Sequence, residues 1–244
     1  MRTFTTMPHR RLTFNHWPAA VYAIGDVHGC LPQLVDLEQQ IEADAGGFEG
    51  EKWIVSLGDY VDRGAYSAQV IEHLLQPPPT GFRRFDLMGN HEQLMLDFLN
   101  DPYAHSYWLG EGGAETLQSY GLDVFAEAGA FHDPARHIPA THLQFLRDLP
   151  ISLSLPNWYF VHAGIRPGLS LAAQADEDLI WIREPFLDSP LPGAPRVVHG
   201  HTPGPVPVVT AHRICVDTQC FLTGRLTAVR ITPDGAAFFL SSSA

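Results

Sequence analysis

Five short segments of the sequence combine carboxylate, amide or imidazole side chains with glycine. They are 25–29 (GDVHG), 58–64 (GDYVDRG), 89–92 (GNHE), 162–164 (HAG) and 200–203 (GHTP). Asp26 and His28 are two residues apart, so in an extended loop both side chains can face one point. Gly25 and Gly29 leave the backbone room to bend there. Oxygen and imidazole donors without thiolate suit Mn²⁺, Fe or Zn²⁺, so the segments predict a metal site.

Metal ligation is expected from six residues of these segments. Asp59 follows its apolar run as Asp26 does and can bridge two metals, while the amide and the imidazoles offer neutral donors. Two metals about 3.5–4 Å apart clamp a phosphoryl oxygen and generate a hydroxide nucleophile. We therefore expect two divalent ions, Mn²⁺ with Fe or Zn²⁺ as alternatives, and direct attack of metal-bound hydroxide on phosphorus. The expected metal ligands are Asp26, His28, Asp59, Asn90, His162 and His201.

Four further residues can supply the remaining chemistry of phosphate ester hydrolysis. His91 can protonate the leaving alkoxide as general acid, and Asp62 can orient its imidazole and raise its pKa. Arg63 and Arg183 can make forked hydrogen bonds to phosphate oxygens as charge spreads in the transition state. The expected catalytic residues are therefore His91, Asp62, Arg63 and Arg183.

Each of the five segments follows a short apolar run that is typical of a buried strand. The runs are 21–24, 53–57, 85–88, 158–161 and 196–198. Helical patterns come after the first three segments, at 32–41, 65–75 and 93–99. Strand, loop and helix in repetition predict an α/β layered fold, whose strand-end loops lie on one side and can converge. Later runs predict a β-rich C-terminal part, at 213–216, 226–231 and 236–240.

A single domain of residues 1–244 is predicted, because the sequence has no internal repeat, low-complexity tract or long linker. Residues 101–150 differ from the rest. A WLGEGG segment at 108–113 precedes a helical pattern at 114–120 and then a polar stretch with histidine and proline. We expect a small helical insertion at about 101–150, and insertions between scaffold strands commonly carry specificity.

Composition limits the class of protein. Hydrophobic residues make up 45% of the 244 and charged residues 17%, which excludes a disordered chain and a coiled coil. Fifteen Lys and Arg against 27 Asp and Glu give a net charge of −12, which argues against nucleic-acid binding. The sequence has neither the roughly 18-residue apolar run of a membrane helix nor an N-terminal apolar region typical of a secretory signal. Three cysteines without metal spacing suit a reducing compartment, so we expect a cytoplasmic protein with no membrane or nucleic-acid partner.

The five segments resemble the signature motifs of calcineurin-like metallophosphoesterases, most closely the phosphoprotein phosphatase branch with its bacterial and phage-type serine/threonine protein phosphatases. GDVHG, GDYVDRG and GNHE match the three motifs of that branch, and HAG and GHTP match its two later histidine motifs. The resemblance covers roughly residues 20–230. It implies a β-sandwich of two mixed sheets flanked by helices, with a dinuclear metal site at the strand-end loops.

Residue roles implied by this resemblance agree with the chemistry above. His91 with Asp62 becomes the acid pair. Residues 181–184 (WIRE) look like the segment of the bacterial enzymes whose arginine, here Arg183, grips phosphate. The implied ligands are, for one metal, Asp26, His28 and Asp59 and, for the other, Asp59, Asn90, His162 and His201.

Two positions depart from the family's pattern. His199 stands two residues before His201, where relatives usually have an apolar or aromatic residue, and only the GHTP match makes His201 the expected ligand. Gln219, in 215–220 (CVDTQC), stands where relatives often have glycine, which we interpret as a local loop change. The role of His199 stays open.

Three functions are compatible with these motifs. The expected one is a metal-dependent phosphomonoesterase that acts on phosphorylated serine or threonine, with tyrosine as an additional target, in proteins or peptides. The alternative is symmetrical hydrolysis of diadenosine tetraphosphate, a dinucleoside polyphosphate whose nucleosides need stacking aromatics such as Tyr107, Trp108 or Trp181. A scaffold without activity is the third, but such proteins typically lose metal ligands or the acid histidine, and these residues are all present here.

Overall fold

A computed structural model of the chain describes residues 9–123 and 133–243. It contains two mixed β-sheets flanked by helices. In chain order, the strands of the described residues are β1 (Arg11–Thr13), β2 (Ala20–Ile24), β3 (Lys52–Ser56), β4 (Phe82–Asp86), β5 (Ser152–Leu155), β6 (Trp158–Val161), β7 (Arg196–His199), β8 (Val208–Val209), β9 (Arg213–Cys215), β10 (Thr227–Ile231) and β11 (Ala237–Ser241).

The two sheets bring the ends of their parallel strands to common edges. One sheet has the strand order β11-β10-β2-β3-β4, and the other has the order β1-β5-β6-β7-β9-β8. Strands β2, β3 and β4 are parallel, while β10 is antiparallel to β2. In the second sheet β6, β7 and β9 are parallel, β8 is antiparallel to β9, and β5 is antiparallel to β6 and parallel to β1. The loops after β2, β3 and β4 therefore lie together, as do the loops after β6 and β7.

Strand β2 shows how the core is built. Val21 and Ala23 pack between the two sheets, in one apolar cluster with Val198 of β7. Tyr22 and Ile24, the alternate residues of β2, belong to the second apolar cluster, which lies between the sheet and its helices. All five side chains are fully buried. A strand that is covered on both faces shows no polar alternation, which explains the continuous apolar run in the sequence.

Helices cover the outer faces of the sheets. In chain order, the α-helices of the described residues are α1 (Leu31–Ala45), α2 (Ser67–Leu74), α3 (Asn90–Asn100), α4 (Gly113–Ser119), α5 (Ala140–Asp148), α6 (Asp176–Trp181) and α7 (Cys220–Thr223). Three short 3₁₀-helices accompany them, at Ser106–Glu111, Pro134–His137 and Leu171–Ala173. Helix α1 buries Leu34, Leu37 and Ile41, which recur at the spacing of one helical face.

Some predicted bounds are wrong. The strand predicted at 85–88 is β4 at Phe82–Asp86, an edge strand that is only partly buried. The predicted run therefore covers only the last two residues of β4 and the two residues that follow the strand. Helix α3 begins at Asn90, three residues before the predicted start, which places Asn90 and His91 in its first turn. The short strands β1, β5 and β8 are not predicted from the sequence.

The segment predicted as a helical insertion contains α4, α5 and the 3₁₀-helices Ser106–Glu111 and Pro134–His137. Residues 1–8, 124–132 and 244 of the predicted single domain lie outside the described residues, so the extent of the domain and of the insertion stays a prediction. No helix found in residues 9–123 and 133–243 combines the length and the apolar character that crossing a bilayer requires.

Candidate active site

A cleft of about 330 Å³ opens where the loops after β2, β3, β4, β6 and β7 meet. Arg63 and Arg183 line this cleft and are exposed. Its exposed edge, which we call the cleft rim, consists of Tyr107, Glu111, Trp181 and Pro203. Its buried base, which we call the cleft floor, consists of five lining residues and of three buried residues in contact with them. The lining residues are Asp26, Asp59, Asn90, His91 and His201, and the residues in contact with them are His28, Asp62 and His162. The structure thus brings together all ten site residues expected from the sequence.

The site residues hold an unusual backbone conformation. Among the described residues, seven residues other than glycine have a positive φ, and five of them are the site residues His28 (45°), Asp59 (56°), Asp62 (75°), Arg63 (69°) and His201 (59°). Such conformations cost on the order of 1–3 kcal/mol each and persist only where the surrounding structure enforces them. Their concentration in one cleft supports its assignment as the functional site.

Glu92 fixes the loop that carries Asp59. Its carboxylate accepts hydrogen bonds from the backbone N–H groups of Asp59 (2.8 Å), Tyr60 (2.7 Å) and Gly89 (3.0 Å). Glu92 is fully buried, and burial together with the charge of Asp59 raises its pKa to about 8. The side chain therefore ties the loop after β3 to the first turn of α3.

Two floor histidines direct unprotonated nitrogen atoms at the cleft. Nδ1 of His28 donates to the carbonyl of Val61 (2.8 Å), and Nδ1 of His162 donates to the carbonyl of Leu57 (2.9 Å). Each Nε2 is left with a lone pair. Burial lowers the pKa of both histidines, that of His28 to about 3. The rings therefore stay neutral, which is the form that binds a metal.

Acceptor atoms converge at the centre of the floor. Nε2 of His162 and Nδ1 of His201 each lie 2.8 Å from Oδ1 of Asn90, and Oδ1 of Asp59 lies 3.4 Å from Nε2 of His162. The ring proton of His201 is committed elsewhere, because its Nε2 donates to the carbonyl of Trp181 (3.2 Å). Lone pairs that meet without a proton repel one another, and a cation removes the repulsion. These donors therefore fit a divalent metal.

Asp59 belongs to two donor groups that could each hold a metal ion. The ligand atoms within each group lie within 4.8 Å of one another. The groups are His28, Asp59 and His91, and Asp59, His162 and His201. The shared position of Asp59 agrees with the expected bridge between two metals. The first group, however, contains His91 where the sequence analysis expects Asp26.

Asp26 lies beside these groups and has a neighbour that the sequence motifs do not predict. Its carboxylate accepts the backbone N–H of His201 (3.2 and 3.1 Å to its two oxygens). A Cβ on Gly200 would lie 1.9 Å from Oδ1 of Asp26, so this approach requires glycine. The unpredicted neighbour is Asp217, which is buried, lines the cleft and hydrogen-bonds to Asp26. Burial and the charges of Asp217 and Asp59 raise the pKa of Asp26 well above its usual range.

His91 and Asp62 form a buried pair. Nδ1 of His91 donates to Oδ2 of Asp62 at 2.6 Å. Asp62 also accepts the indole N–H of Trp108 (2.7 Å) and the hydroxyl of Thr116 (2.7 Å). Burial by itself would lower the pKa of His91, but the carboxylates of Asp59 and Asp62 outweigh it and raise the pKa to about 9. The pair has the geometry of a general acid and the group that orients it.

The segment predicted as an insertion therefore supports the floor as well as the rim. Trp108 was expected as a residue that can stack on a nucleoside, and this expectation is wrong, because the ring is fully buried and bonded to Asp62. Tyr107 and Trp181, by contrast, are 57% and 40% exposed and line the cleft. Gly113 packs on the Trp108 ring so closely that a Cβ there would lie 2.3 Å from it, so this packing requires glycine.

The two arginines present donors to the cleft. Nη1 of Arg63 lies 2.8 Å from Nε2 of His28, and its Nη2 lies 3.2 Å from Nε2 of His91. Arg183 donates to the carbonyl of His201 (3.3 Å). Guanidinium groups only donate, so both imidazole nitrogens act as acceptors in this arrangement. A phosphate oxygen is a stronger acceptor than imidazole and can draw the arginines to itself.

His199 and Gln219 have structural explanations. His199 is fully buried at the end of β7, where Nδ1 donates to the carbonyl of Gly200 (2.9 Å) and Nε2 accepts from Arg213 (3.3 Å). His201 is the residue whose ring lies in the floor. Gln219 has a φ of 55°, the left-handed conformation that glycine adopts readily. Glycine at this position in relatives is therefore compatible with the same local backbone.

The fold and the donor groups of the floor define the class of metallophosphoesterases. The profile of the calcineurin-like phosphoesterase family matches residues 19–225, most of the chain, and the chain belongs to that family. The predictions of the family, of two mixed sheets flanked by helices and of a hydrolytic enzyme are thereby confirmed.

Similar proteins carry two kinds of names. Serine/threonine-protein phosphatase 2 of Salmonella typhimurium is 25% identical over 223 residues, which are 86% of this chain and 92% of that protein. The asymmetrical bis(5'-nucleosyl)-tetraphosphatase PrpE of Oceanobacillus iheyensis is 27% identical over 230 residues, 85% of this chain and 86% of that protein. The crystal structure of a candidate diadenosine tetraphosphatase has a TM-score of 0.68 at 22% identity and covers 96% of this chain and 99% of that one. At that identity the likeness shows the fold alone.

Proposed function

We propose that the protein is a metal-dependent phosphoric monoester hydrolase that removes phosphate from phosphoserine and phosphothreonine, and also from phosphotyrosine, in proteins or peptides. The observation that carries this proposal is the charge of the cleft. Among the described residues that line it, the only lysine or arginine side chains are Arg63 and Arg183. One phosphoryl group suits one pair of arginines, whereas a tetraphosphate chain carries four phosphates that need partners. The cleft carboxylates, which a longer anion would also meet, are Asp26, Asp59, Glu111 and Asp217.

Two divalent metals complete the floor in this proposal. The residues that would hold them are Asp26, His28, Asp59, Asn90, His162 and His201. Such ions, when bound, polarise a phosphoryl group and lower the pKa of a water molecule. Mixed oxygen and nitrogen donors suit Mn²⁺, and Fe or Zn²⁺ are the alternatives that the same donors accept.

His91 supplies the proton that the leaving group needs. Asp62 binds its Nδ1, so the proton to be transferred is held at Nε2, the atom that faces Arg63. A phosphoryl group that draws the guanidinium to its own oxygens frees Nε2 to carry this proton, and the raised pKa of His91 favours the protonated form. The alkoxides of serine and threonine are poor leaving groups without a proton, and a general acid contributes roughly 10²–10⁴-fold in rate.

Arg63 and Arg183 orient the phosphoryl group above the floor. Both side chains are exposed at the cleft, so binding a phosphate does not require a buried charge to move. Each guanidinium offers a planar fork of donors that matches two phosphate oxygens. The same contacts strengthen as negative charge spreads over these oxygens in the transition state.

Hydrolysis of dinucleoside tetraphosphates is the second candidate, and the rim is the observation that favours it. Tyr107 and Trp181 present exposed rings at the cleft, and exposed aromatic rings can stack on nucleobases. Relatives named as tetraphosphatases point in the same direction. The carboxylate of Glu111 at the same rim opposes it, because it repels a polyphosphate chain.

A cytoplasmic location belongs to this proposal. Cys30, Cys215 and Cys220 are free thiols. Free thiols suit a reducing compartment, where structural disulfides are rare.

Substrate preference tests the proposal. Metal-stripped protein reconstituted with Mn²⁺ is assayed for kcat/KM on a phosphoserine/phosphothreonine peptide and on diadenosine tetraphosphate. We expect the peptide to be preferred by about tenfold or more, which corresponds to ~1.4 kcal/mol in transition-state binding. A comparable preference for diadenosine tetraphosphate contradicts the proposal and assigns the rim to nucleoside binding. Stripped protein without added metal is the control, and full activity in that sample contradicts metal dependence.

A further inference from the structure

Glu111 is a carboxylate of the cleft that the chemistry above does not use. It ends the 3₁₀-helix Ser106–Glu111, is exposed, and lines the same cleft as Arg63 and Arg183. A negative charge beside a phosphate-binding pair of arginines weakens the binding of every anion. Its position therefore indicates a role other than holding the phosphate itself.

The backbone holds Glu111 in this position. Gly112, the next residue, has a φ of 108°, and its carbonyl accepts the N–H of Arg63 (3.3 Å). A Cβ on Gly112 would lie 2.4 Å from the nitrogen of Arg63, so the two segments approach as closely as glycine permits. Three residues before Glu111, Trp108 is anchored on Asp62. The backbone of Glu111 is thus fixed to the loop that carries one of the phosphate-binding arginines.

The carboxylate of Glu111 is available to a ligand. Within the part of the chain that the structure describes, it makes no hydrogen bond and no ion pair. Two partly buried carboxylates of the protein are paired, Asp176 with Arg11 (2.6 Å) and Asp178 with Arg166. Glu111 is instead exposed and unpaired, and it lines the cleft, a position that suits a cation of the substrate.

We propose that Glu111 selects phosphopeptides that carry lysine or arginine next to the phosphorylated residue. This inference rests on the proposed function of the cleft as a protein phosphatase site. The phosphate binds Arg63 and Arg183, and the cationic side chain of the same peptide pairs with Glu111. A polyphosphate chain meets Glu111 as a like charge. Attraction of one substrate class and repulsion of the other together give a specificity that the floor does not provide.

Two phosphoserine peptides that differ only in arginine or alanine on both sides of the phosphoserine test this proposal. For the wild-type protein we expect kcat/KM to be about fivefold higher for the arginine peptide, the size of effect that one exposed ion pair allows. The preference should shrink as ionic strength rises from about 0.01 M to 1 M, because salt screens exposed charges. In Glu111→Gln, which removes the charge and keeps the shape, it should fall to within about twofold.

Charge reversal sharpens the test. Glu111→Lys should prefer the alanine peptide, and its kcat/KM for diadenosine tetraphosphate should exceed that of the wild type by about fivefold, because the rim then attracts a polyanion. The matched control is Glu115→Gln, an identical change at an exposed glutamate of α4 that does not line the cleft. It should keep the full preference for the arginine peptide.

The outcomes separate this proposal from the proposed function. Wild-type protein that cleaves both peptides equally well overturns the role of Glu111 and leaves the phosphatase function intact. Equal loss of preference in Glu111→Gln and Glu115→Gln also overturns it, because the effect would then belong to surface charge in general. Hydrolysis of diadenosine tetraphosphate without hydrolysis of either peptide overturns both proposals.

Discussion

The cleft floor and the cleft rim differ in how strictly the fold determines them. In the floor, for example, Asp62 is fully buried and accepts hydrogen bonds from three side chains. At the rim, Tyr107 is 57% exposed, and Glu111 has no partner among the described residues. A buried polar group must be paired, so its neighbours fix its position, whereas an exposed side chain is free to meet a substrate. The comparison indicates that the floor sets the reaction and the rim sets the substrate.

The boundary between these two regions runs through one 3₁₀-helix. Tyr107 points to the rim, and Trp108, the next residue, donates to the carboxylate that orients His91. The proposed substrate contacts of the rim and the support of the proposed acid pair therefore belong to the same short element. Variants on the two sides of this boundary should separate the two functions, and the following predictions run from the largest expected effect to the smallest.

Asp59→Asn breaks the floor at the residue shared by both donor groups. The amide keeps the size of the side chain but removes the negative charge that the two groups share. We expect metal affinity to fall by more than the roughly 10–100-fold that changes beside metal ligands typically cause, with loss of activity. Metal content after dialysis measures this effect. The matched control is Asp148→Asn, at the exposed end of α5, and wild-type metal content in Asp59→Asn contradicts the shared role.

His91→Asn removes the proposed acid from the floor while leaving the other donors in place. For a phosphoserine peptide we expect kcat to fall by roughly 10²–10⁴-fold, with bound metal close to the wild-type amount. Parallel kinetics and metal analysis check both parts. His212→Asn, at a histidine outside the cleft, should leave both unchanged. A His91→Asn protein that loses its metal would instead place His91 among the ligands, as its position beside His28 and Asp59 allows.

Trp108→Phe tests the boundary itself. The change removes the N–H that donates to Asp62 and keeps an aromatic ring in the core. A hydrogen bond to a charged group contributes about 1.5–3 kcal/mol, so we expect kcat to fall by about tenfold or more. KM should stay near its wild-type value, because Trp108 is fully buried and does not touch the substrate. Trp17→Phe, which also removes an indole donor but far from the cleft, is the control, and an equal decline in both variants contradicts a positioning role for Trp108.

Most of the floor could be predicted from the sequence because four of its five segments directly follow a largely buried strand. An apolar run buried on both faces locates the strand, and the residue after it is then placed at the sheet edge. The floor residues after β2, β3, β6 and β7 lie together for this reason, whereas Arg183 follows helix α6. The bounds of β4 were not predictable in the same way, since this edge strand is only partly buried and its residues FRRFD show no apolar run.

The supporting residues could not be predicted, because they come from distant parts of the sequence. Trp108 and Thr116 lie 46 and 54 residues from Asp62, and no local pattern relates them to it. Asp217 likewise reaches the floor from a loop after β9 that has no recognised ligand spacing. Tyr107 and Trp108 are adjacent, and the packing of their short 3₁₀-helix against the rest of the protein decides which of them is buried. A local sequence pattern does not contain that packing.

The smallest effect is expected from the rim variant Tyr107→Ala. With a phosphopeptide, kcat/KM should change by less than about threefold, because the ring belongs to neither the floor nor the phosphate-binding pair. With diadenosine tetraphosphate, kcat/KM for any hydrolysis should fall by about tenfold, the size of effect expected for loss of one base–aromatic stack. Tyr103→Ala, at an exposed tyrosine outside the cleft lining, is the control. A larger loss with the peptide than with the nucleotide contradicts the assignment of Tyr107 to the rim alone.

The central claim, that the floor performs the chemistry through His91, is tested most directly by the leaving-group dependence of His91→Asn. kcat/KM is measured for the wild type and the variant on a series of phosphate monoesters, from p-nitrophenyl phosphate to phosphoserine peptides. A general acid matters little when the leaving group is stable as an anion. We therefore expect a small loss with p-nitrophenyl phosphate that grows toward roughly 10²–10⁴-fold with phosphoserine. An equal loss with every leaving group would contradict the claim.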